Sequence, residues 1–393
     1  MSVCQNLTRS KTKEMGLRIA AGLLAAWCGI VSLADEPLPR STAAAVGSPD
    51  EMYIADPFDA NGFVGIPSGV DAAMLPCWPR WFAGATGLVM TRTLPAGTAT
   101  MQPTAGVPQL STSNAAATWP GGVDLHVGRW LGPEQHHAIE LIYWGVYNIG
   151  SGDSVTSGSS AIQAIPTTGP GVTISGTSAS TILNNASAQQ ISRSDLVNDI
   201  EINWLYSLWE RPEFLPKDRP ISLMWLAGFR FFEVQDVLTQ TTTSSVTSLN
   251  FNTATNNNLY GGQVGGKFDW RFAPRLRFST VPKIMVAGNA ITNTEKLTNT
   301  SGTAAKFAGG SPVNVHSTLG VVSWLGSVDT SVAWDVTDRW SLSMGYRVVG
   351  VGNIAQADGQ WPALITNASS LSGINAGSST IIHGGFAGFE GRY

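Results

Sequence analysis

Several segments of the chain alternate strictly between apolar and polar residues, the pattern of a β-strand with one apolar face. The stretch "NDIEINWLYSL" (198–208) interleaves acidic and amide residues with aliphatic and aromatic ones, and "RWSLSMGYRVV" (339–349) has the same period. The stretch "FDWRFAPRLRFS" (268–279) alternates on both sides of Ala273-Pro274, which predicts two strands joined by a tight turn. In a soluble sheet the charged face of such strands meets water; in a membrane barrel it faces the lumen, and the apolar face meets lipid.

The same periodicity, followed along the chain, predicts ten strands. They lie near 81–92, 122–131, 137–148, 195–209, 220–235, 257–272, 275–290, 318–335, 339–352 and 379–393. The alternation is weakest in the first two strands, where Arg92 and Arg129 interrupt it. Residues 161–192 have the composition to form one further hairpin, which would make twelve strands.

The links between these strands alternate in length. Four are short, at 131–137, 210–220, 273–274 and 336–339. Five are long and rich in Ser, Thr, Asn and Gly, at 93–121, 149–194, 236–256, 291–317 and 353–378. Bacterial outer-membrane barrels have this asymmetry, with short periplasmic turns and long extracellular loops. The sequence therefore predicts an all-β fold, a transmembrane antiparallel up-and-down β-barrel of about ten strands.

The N-terminus has the features of an export signal. Four basic residues precede a run of sixteen apolar residues, 19–34, which ends in a small-x-small motif. The run is shorter than the roughly 20 residues that a membrane-spanning helix needs. We therefore expect a cleaved signal peptide over 1–34, an extended periplasmic or lumen-entering lead-in over 35–79, and the barrel over 80–393. The exported chain would keep Cys77 alone and form no internal disulfide.

Composition agrees with a barrel and excludes one class of partner. Charged residues make up 13% of the chain, against about 25% in ordinary soluble domains. The formal net charge is −4, and no basic stripe is visible, so we expect no nucleic-acid partner. The fourteen Trp residues are abundant enough to supply an aromatic girdle at a membrane interface.

The charged residues on the polar faces of the strands are the candidates to line a lumen. They must point inward in a barrel, because an Arg or Lys facing lipid at the midplane costs about 2–4 kcal/mol. The candidates are Asp199, Glu201, Arg230, Lys267, Asp269, Arg271, Lys283, Arg347, Glu390 and Arg392. They would either select ions in a narrow channel or pair with one another and fill the barrel. About eight strands leave room only for side chains, and 16 to 18 enclose water, so ten leave both outcomes open.

Four tryptophans lie within a few residues of the short links, where a periplasmic aromatic girdle is expected. These girdle candidates are Trp209, Trp270, Trp334 and Trp340. The hairpin of 268–279 would then have its tip at the periplasmic rim.

Five segments resemble a known family. They are "CWPRWFAGATGLVMTR", "LMWLAGFRFFEVQD", "NNLYGGQVGGKFDW", "DVTDRWSLSMGYRVVGVGNIA" and the closing "HGGFAGFEGRY", spread over 77–393. Together they are similar to the putative beta-barrel porins numbered seven, which are outer-membrane barrels. The resemblance implies a bacterial outer-membrane location and a porin role. It implies no particular binding residue.

No motif predicts a cofactor, a metal site or an enzyme. The Gly-rich "GGQVGG" (261–266) lies inside a strand pattern, whereas a phosphate-binding loop needs a helix after it. The histidines of the exported chain, among them His136-His137 in a short link, lack partners at the spacing of a zinc site. A hydrolase would need a nucleophile with an oriented base, and the sequence identifies none.

The expected function is passive diffusion of ions or small hydrophilic solutes through a narrow, charge-lined lumen. The alternatives are a non-conducting surface, adhesion or structural barrel that acts through its long loops, and a secreted soluble β-protein. The expected partners are outer-membrane lipid, the solutes themselves and the barrel-assembly machinery, which would recognise the C-terminal strand ending in Tyr393. An oligomer is compatible with the pattern.

Overall fold

A computed structural model describes residues 80–104, 106–132, 135–158, 161–208 and 220–393. The predicted signal peptide and lead-in, Trp209 and most of the link 210–220 lie outside these residues. Ten long strands form the framework. They are β1 (Trp81–Arg92), β2 (Gly121–Leu131), β3 (His137–Tyr147), β4 (Ala186–Ser207), β5 (Ile221–Ser244), β6 (Ser248–Ala273), β7 (Leu276–Asn299), β8 (Asn314–Asp335), β9 (Trp340–Ile354) and β10 (Ser378–Arg392).

The ten strands form one closed antiparallel sheet in which each strand pairs with the next along the chain. The ring closes between β1 and β10, where Phe82 pairs with Arg392 and Arg92 with Ile382. The bonds continue past the strand end, since Trp81 N donates to Tyr393 O at 2.9 Å and Tyr393 N donates to Trp81 O at 2.8 Å. The predicted up-and-down barrel of ten strands is confirmed, and the described residues of 161–185 add no further pair of barrel strands.

The prediction of a long link at 236–256 is wrong. Strands β5 and β6 continue through it and turn at 245–247. In this region the buried inward side chains are of both kinds, apolar as with Leu238 and Phe251 and polar as with Gln240 and Thr253, while outward ones such as Thr241 are polar. The strand pairing therefore continues through a segment that has no consistent alternation of apolar and polar residues. The links at 149–194 and 291–317 are shortened for the same reason, by β4 beginning at Ala186 and β7 ending at Asn299.

A band of outward-facing apolar side chains surrounds the barrel near the short turns; we call it the apolar belt. On β4, β5, β6 and β7 it covers 200–208, 221–231, 260–272 and 278–286, respectively. Its side chains are well exposed, with Val264 and Ile284 at 58% and Val286 at 65%. A soluble monomer does not leave a continuous apolar surface of this extent in water. The belt is also about as tall as the 9–11 residues of a membrane-spanning strand.

The four remaining long links fold over the long-loop end of the barrel and form what we call the cap, 93–120, 148–185, 300–313 and 355–377. The cap contains one α-helix, α1 (Ala179–Asn184), and short 3-10 turns at Thr112–Asn114, Ala357–Gln360 and Ala368–Leu371. Its short strands are Gly152–Thr156, Thr167–Thr168, Thr173–Ile174, Thr177–Ser178 and Leu364–Ile365. Cap residues such as Met101, Ile182 and Trp361 are buried against Leu238 and Phe251 of the extended strands. The links of the cap thus pack around an apolar core of their own. None of the described helices is long and apolar enough to cross a membrane.

Replacing Ile284 by Lys tests the belt. Ile284 lies outward on β7 within it, so an ammonium there should lower the free energy of unfolding by about 2–4 kcal/mol in phospholipid vesicles. The matched control is Thr292→Lys, outward on the same strand but beyond the belt, where the cost should be about 0–1 kcal/mol. Equal losses in a denaturant titration of the two variants would contradict a lipid-facing belt.

Candidate functional site

The barrel interior is arranged in levels of different chemistry, and the level at the short-turn end reaches solvent. The side chains of Lys267, Arg271 and Glu390 are 30%, 29% and 24% exposed. Their ion pairs are loose: Arg271 Nη2 lies 3.7 Å from Asp335 Oδ2, and Lys267 Nζ lies 3.9 Å from Asp269 Oδ2. Partly solvated pairs of this kind contribute little to stability.

Above this level, Asp199, Glu201, Arg230 and Lys283 form what we call the central ion cluster. Lys283 Nζ donates to both oxygens of Glu201 at 2.8 and 3.0 Å, and Arg230 Nε donates to Asp199 Oδ1 at 2.6 Å. Gln263 Nε2 also donates to Glu201 Oε2 at 2.8 Å. The four charged side chains are at most 6% exposed. Two cations therefore balance two anions out of contact with water, and removal of any one would leave a buried unpaired charge.

Arg347 crosses the interior at nearly the same level. Its guanidinium binds two carboxylates, with Nη2 2.8 Å from Asp124 Oδ2 and Nε 2.8 Å from Asp329 Oδ1. It also lies over the rings of Trp144 and Phe386, 5.1 and 5.9 Å from their centroids. The planar guanidinium suits this combination of bidentate pairing and ring contact. Arg347 thus joins the charged level to the apolar level above it.

An apolar layer closes the interior above the charged levels. Nine of the ten strands contribute to it, every one except β2. None of its members is more than 3% exposed. They are Leu88, Met90, Trp144, Val146, Ile149, Val197, Phe232, Val234, Leu259, Met285, Ala287, Leu325, Val349, Val351, Ile354 and Ile382. A water-filled passage would expose the side chains that line it, so the barrel is shut at this level.

Beyond the apolar layer lies the upper ion cluster, made of Arg92, Arg193, Asp195, Asp236 and Asp358. Asp236 accepts from Arg92 Nη2 and from Arg193 Nη1, both at 2.8 Å. Arg193 Nη2 also binds both oxygens of Asp358, at 2.8 and 2.7 Å. The arginines and Asp195 and Asp236 have fully buried side chains. Because Asp358 belongs to the cap, this cluster ties the cap to β1, β4 and β5.

The pKa values of the two strand carboxyls of this cluster shift in opposite directions. Both lie past the apolar belt on β4 and β5. Burial raises the pKa of Asp195 well above its ordinary value, and the negative charge of Asp236 adds to the rise, although Arg92 Nε lies 2.8 Å from Asp195 Oδ2. Burial acts in the same direction on Asp236, but the charges of Arg92 and Arg193 outweigh it and lower the pKa of Asp236. Asp236, which contacts both arginines, is therefore the carboxyl of the pair on which their charges act most strongly.

All ten lumen candidates lie on inward faces and contact an opposite charge. Asp199, Glu201, Arg230 and Lys283 meet in one cluster, and Arg347 lies beside it; Lys267, Asp269, Arg271, Glu390 and Arg392 lie at the short-turn end. A role for them in lining a conducting lumen stays a prediction. Sequence reasoning missed the upper ion cluster and the partners of Arg347. The interruption of the alternation at Arg92 was its one available signal.

Three of the four girdle candidates lie on the outer surface beside short turns. Trp270, Trp334 and Trp340 are 46%, 48% and 41% exposed. Trp340 has Tyr393 edge-on at 5.8 Å and Phe389 at 6.0 Å, so aromatic side chains cluster at this rim. Trp209 lies outside the described residues. The girdle assignment itself stays a prediction.

The described residues offer no group of three or more His, Cys, Asp or Glu side chains placed to hold a metal ion. The histidines are dispersed: His126 lies 3.5 Å from Glu390, His383 bonds to Tyr346 on the outer surface, and His137 stacks on Trp204. The carboxylates of the two ion clusters are bound by arginine, lysine or amide groups. In this arrangement the charged side chains of the two clusters neutralise one another and fill the barrel.

Replacing Asp236 and Asp195 by Asn separates their roles. Asp236→Asn leaves two buried arginines short of an anion, so the free energy of unfolding should fall by about 3–5 kcal/mol. Burial already raises the pKa of Asp195 and so weakens the charge that Asp195→Asn removes, and this variant should cost less than about 1 kcal/mol. Denaturant titrations of the two variants in detergent check this. The assignment of Asp236 as the main anion of the cluster is wrong if Asp195→Asn is the more damaging change.

Three comparisons place the molecule among known proteins. The family model described as Putative beta barrel porin-7 matches residues 80–380. Comparison with curated proteins finds no match. Among solved structures, the outer membrane protease OmpT from Escherichia coli is similar at 10% identity and a TM-score of 0.45, over 80% of this chain and 97% of that one.

Two further solved structures are similar. A major outer membrane protein from Thermus thermophilus has 10% identity and a TM-score of 0.33, over 80% of this chain and 98% of that one. The toluene transporter TodX from P. putida has 8% identity and a TM-score of 0.27, over 82% and 91%. These likenesses carry no information on activity. The family match runs through nine strands and the start of the tenth, so the chain belongs to the putative beta barrel porin-7 family and is a bacterial outer-membrane β-barrel.

Proposed function

We propose that this protein is a barrel with a closed interior that acts at the cell surface through its cap. The observation that carries the proposal is the apolar layer, to which nine strands contribute and in which no side chain is more than 3% exposed. Passive diffusion through the lumen, the function expected from the sequence, requires a continuous aqueous path. The apolar layer interrupts that path between the two charged levels.

The physical cost of crossing the layer supports a closed state. Apolar constrictions exclude water from narrow pores and so bar ions, which would have to shed their hydration shells. A barrel of ten strands lies near the size at which side chains fill the interior. The cap adds a second closure at the extracellular end, because its own apolar core packs against β4, β5 and β6.

A second candidate is a pore that opens when the cap moves. The family description favours it, and so does the attachment of the cap, which depends on specific contacts at the upper ion cluster. There Asp358 is bound by Arg193, and Ala357 N donates to Asp236 Oδ2 at 3.1 Å. In such a pore the solvated charges at the periplasmic end, Lys267 and Arg271 among them, would meet the solute first.

The last strand also bears on assembly. Strand β10 pairs with both β1 and β9 and thereby closes the ring. Its aromatic terminus, Tyr393, lies at the periplasmic rim next to Trp340. Recognition of this strand by the barrel-assembly machinery, and any oligomeric state, belong to the proposal. We propose no enzymatic activity.

Single-channel recording in a planar bilayer tests the proposal. The wild-type protein, purified in detergent and shown to be folded by its heat-modifiable migration on a gel, should give no discrete current steps. Asp358→Asn removes the anion that Arg193 binds in the cap, and Asp338→Asn, in the exposed periplasmic turn after β8, serves as the matched control. Both variants should remain silent, because fifteen of the sixteen side chains of the apolar layer belong to the barrel strands.

The two candidates differ in outcome. Steps in the wild-type protein would overturn the closed barrel. Steps in Asp358→Asn alone would favour the pore that opens when the cap moves. In that case Arg347→Gln, within the charged level, should shift the reversal potential.

A further inference from the structure

The cap contains a pocket with a volume of about 360 Å³ at the extracellular end of the barrel. The inner face of β7 forms one side of it, through Glu295, and the link 355–377 forms the other, through Gln360, Trp361, Ser370 and Asn375. Small-molecule sites usually begin at about 300 Å³, so the pocket suits a small solute. Glu295 lies nine residues past the end of the apolar belt on β7, in the part of the strand outside the membrane.

Glu295 is the one acidic side chain that lines this pocket. The residue is 1% exposed, and its Oε1 accepts a hydrogen bond from Asn293 Nδ2 at 3.0 Å. Its Oε2 is buried and has no hydrogen-bond partner among the described residues. Burial raises the pKa of Glu295 to about 7, although the bond from Asn293 favours the ionised form. A buried carboxylate oxygen without a donor is costly, and a bound donor would relieve that cost.

The walls of the pocket are held in place by their own contacts. Trp361 meets Phe251 of β6 edge-on with centroids 5.0 Å apart, and its Nε1 donates to Ile165 O at 3.2 Å. Gln360 Oε1 accepts from Asn375 N at 2.8 Å, and Gln360 Nε2 donates to Asn375 O at 2.8 Å. The pocket is therefore formed before any ligand arrives, which lowers the entropic cost of binding.

No protein cation is available to Glu295 among the described residues. The nearby cap carboxylate, Asp358, has its own partner in Arg193, and no described ion pair includes Glu295. An ammonium group carries both the positive charge and the N–H donors that Oε2 lacks. The Gln360 amide and the Ser370 hydroxyl already donate within the cap, to Asn375 O and Asn367 O. Asn375 Nδ2 makes no hydrogen bond among the described residues and adds a donor near the rim, which suits a hydroxyl oxygen of the ligand.

We propose that this pocket binds a small hydroxylated ammonium ion from outside the cell, with Glu295 as its anionic anchor. The inference deepens the proposed function, since it gives the cap a ligand class. Its test is independent of the closed barrel, because binding to the cap is measured without conduction. A failure of one proposal would therefore leave the other standing.

Binding of D-glucosamine, compared with neutral D-glucose of the same ring size, tests the proposal. Isothermal titration or saturation-transfer NMR on the folded protein in detergent should show glucosamine binding at concentrations up to about 10 mM. Glucose should bind about tenfold more weakly or not at all. Glu295→Gln keeps the size of the side chain and one oxygen to accept from Asn293, but it replaces the second oxygen with an N–H donor and removes the charge. It should weaken glucosamine binding about tenfold or more.

The matched control is Glu233→Gln, on the outer face of the extended strand β5, which β6 separates from β7. Glu233 accepts from Asn198 and Asn256 at 2.9 and 3.0 Å and does not line the pocket. This variant should bind glucosamine like the wild type. Three results would overturn the proposal: equal binding of glucose and glucosamine, unchanged binding in Glu295→Gln, or no binding by wild-type protein that migrates as a folded barrel. The last result would assign the unpartnered oxygen to a protonated acid or a buried water.

Discussion

The structure depends on one constraint, the closure of the sheet between its first and last strands. Lipid offers no hydrogen-bond partners, so every backbone N–H and C=O within a membrane must be paired inside the protein. The pairing of β1 with β10, extended by the two bonds between Trp81 and Tyr393, removes both sheet edges. Closure gives each strand an inside and an outside. The period-two pattern of the sequence follows from it.

Ten strands also fix how the inside must be filled. The enclosed space is near the size that side chains occupy, so inward charges lie close enough to pair. Lys283 reaches Glu201 and Arg230 reaches Asp199 at bonding distance in the central ion cluster. Where the interior opens to the periplasm, the pairs lengthen, as between Arg271 and Asp335 at 3.7 Å. The short pairs of the central ion cluster are thus buried, and the long pair between Arg271 and Asp335 is partly solvated.

In the interior an apolar level separates two charged levels. This order of levels explains why the long links fold over the end of the barrel as a cap. Strands β4 to β7 continue past the apolar belt, and their inner faces become apolar again at Leu238 and Phe251. Such faces cannot remain in water, so the long links fold over them. The upper ion cluster sits at this junction and holds Asp358 of the cap. The same framework that spans the membrane therefore builds a rigid extracellular structure.

The sequence predicted the strands, which repeat one pattern, and missed the contacts between residues that lie far apart in the chain. The positions of all ten strands follow from alternation, which each strand repeats. The extensions of β5 and β6 were missed because their inner faces mix polar residues such as Gln240 with apolar ones such as Leu238, which removes the alternation, and because the Thr- and Asn-rich composition resembles that of loops. Arg92 looked like an interruption because its partner Asp236 lies 144 residues away. No local rule could have paired Arg193 with Asp358 or left Oε2 of Glu295 without a donor among the described residues.

Thiol accessibility tests most directly whether the apolar layer shuts the barrel. In a background with Cys77 replaced by Ser, single cysteines at Arg271, Lys267 and Leu259 sample three heights on the inner face of β6. A charged, membrane-impermeant thiol reagent should label positions 271 and 267 from the periplasmic side. It should leave position 259 unlabelled from either side. Labelling at 259 as fast as at 267 would contradict a closed barrel.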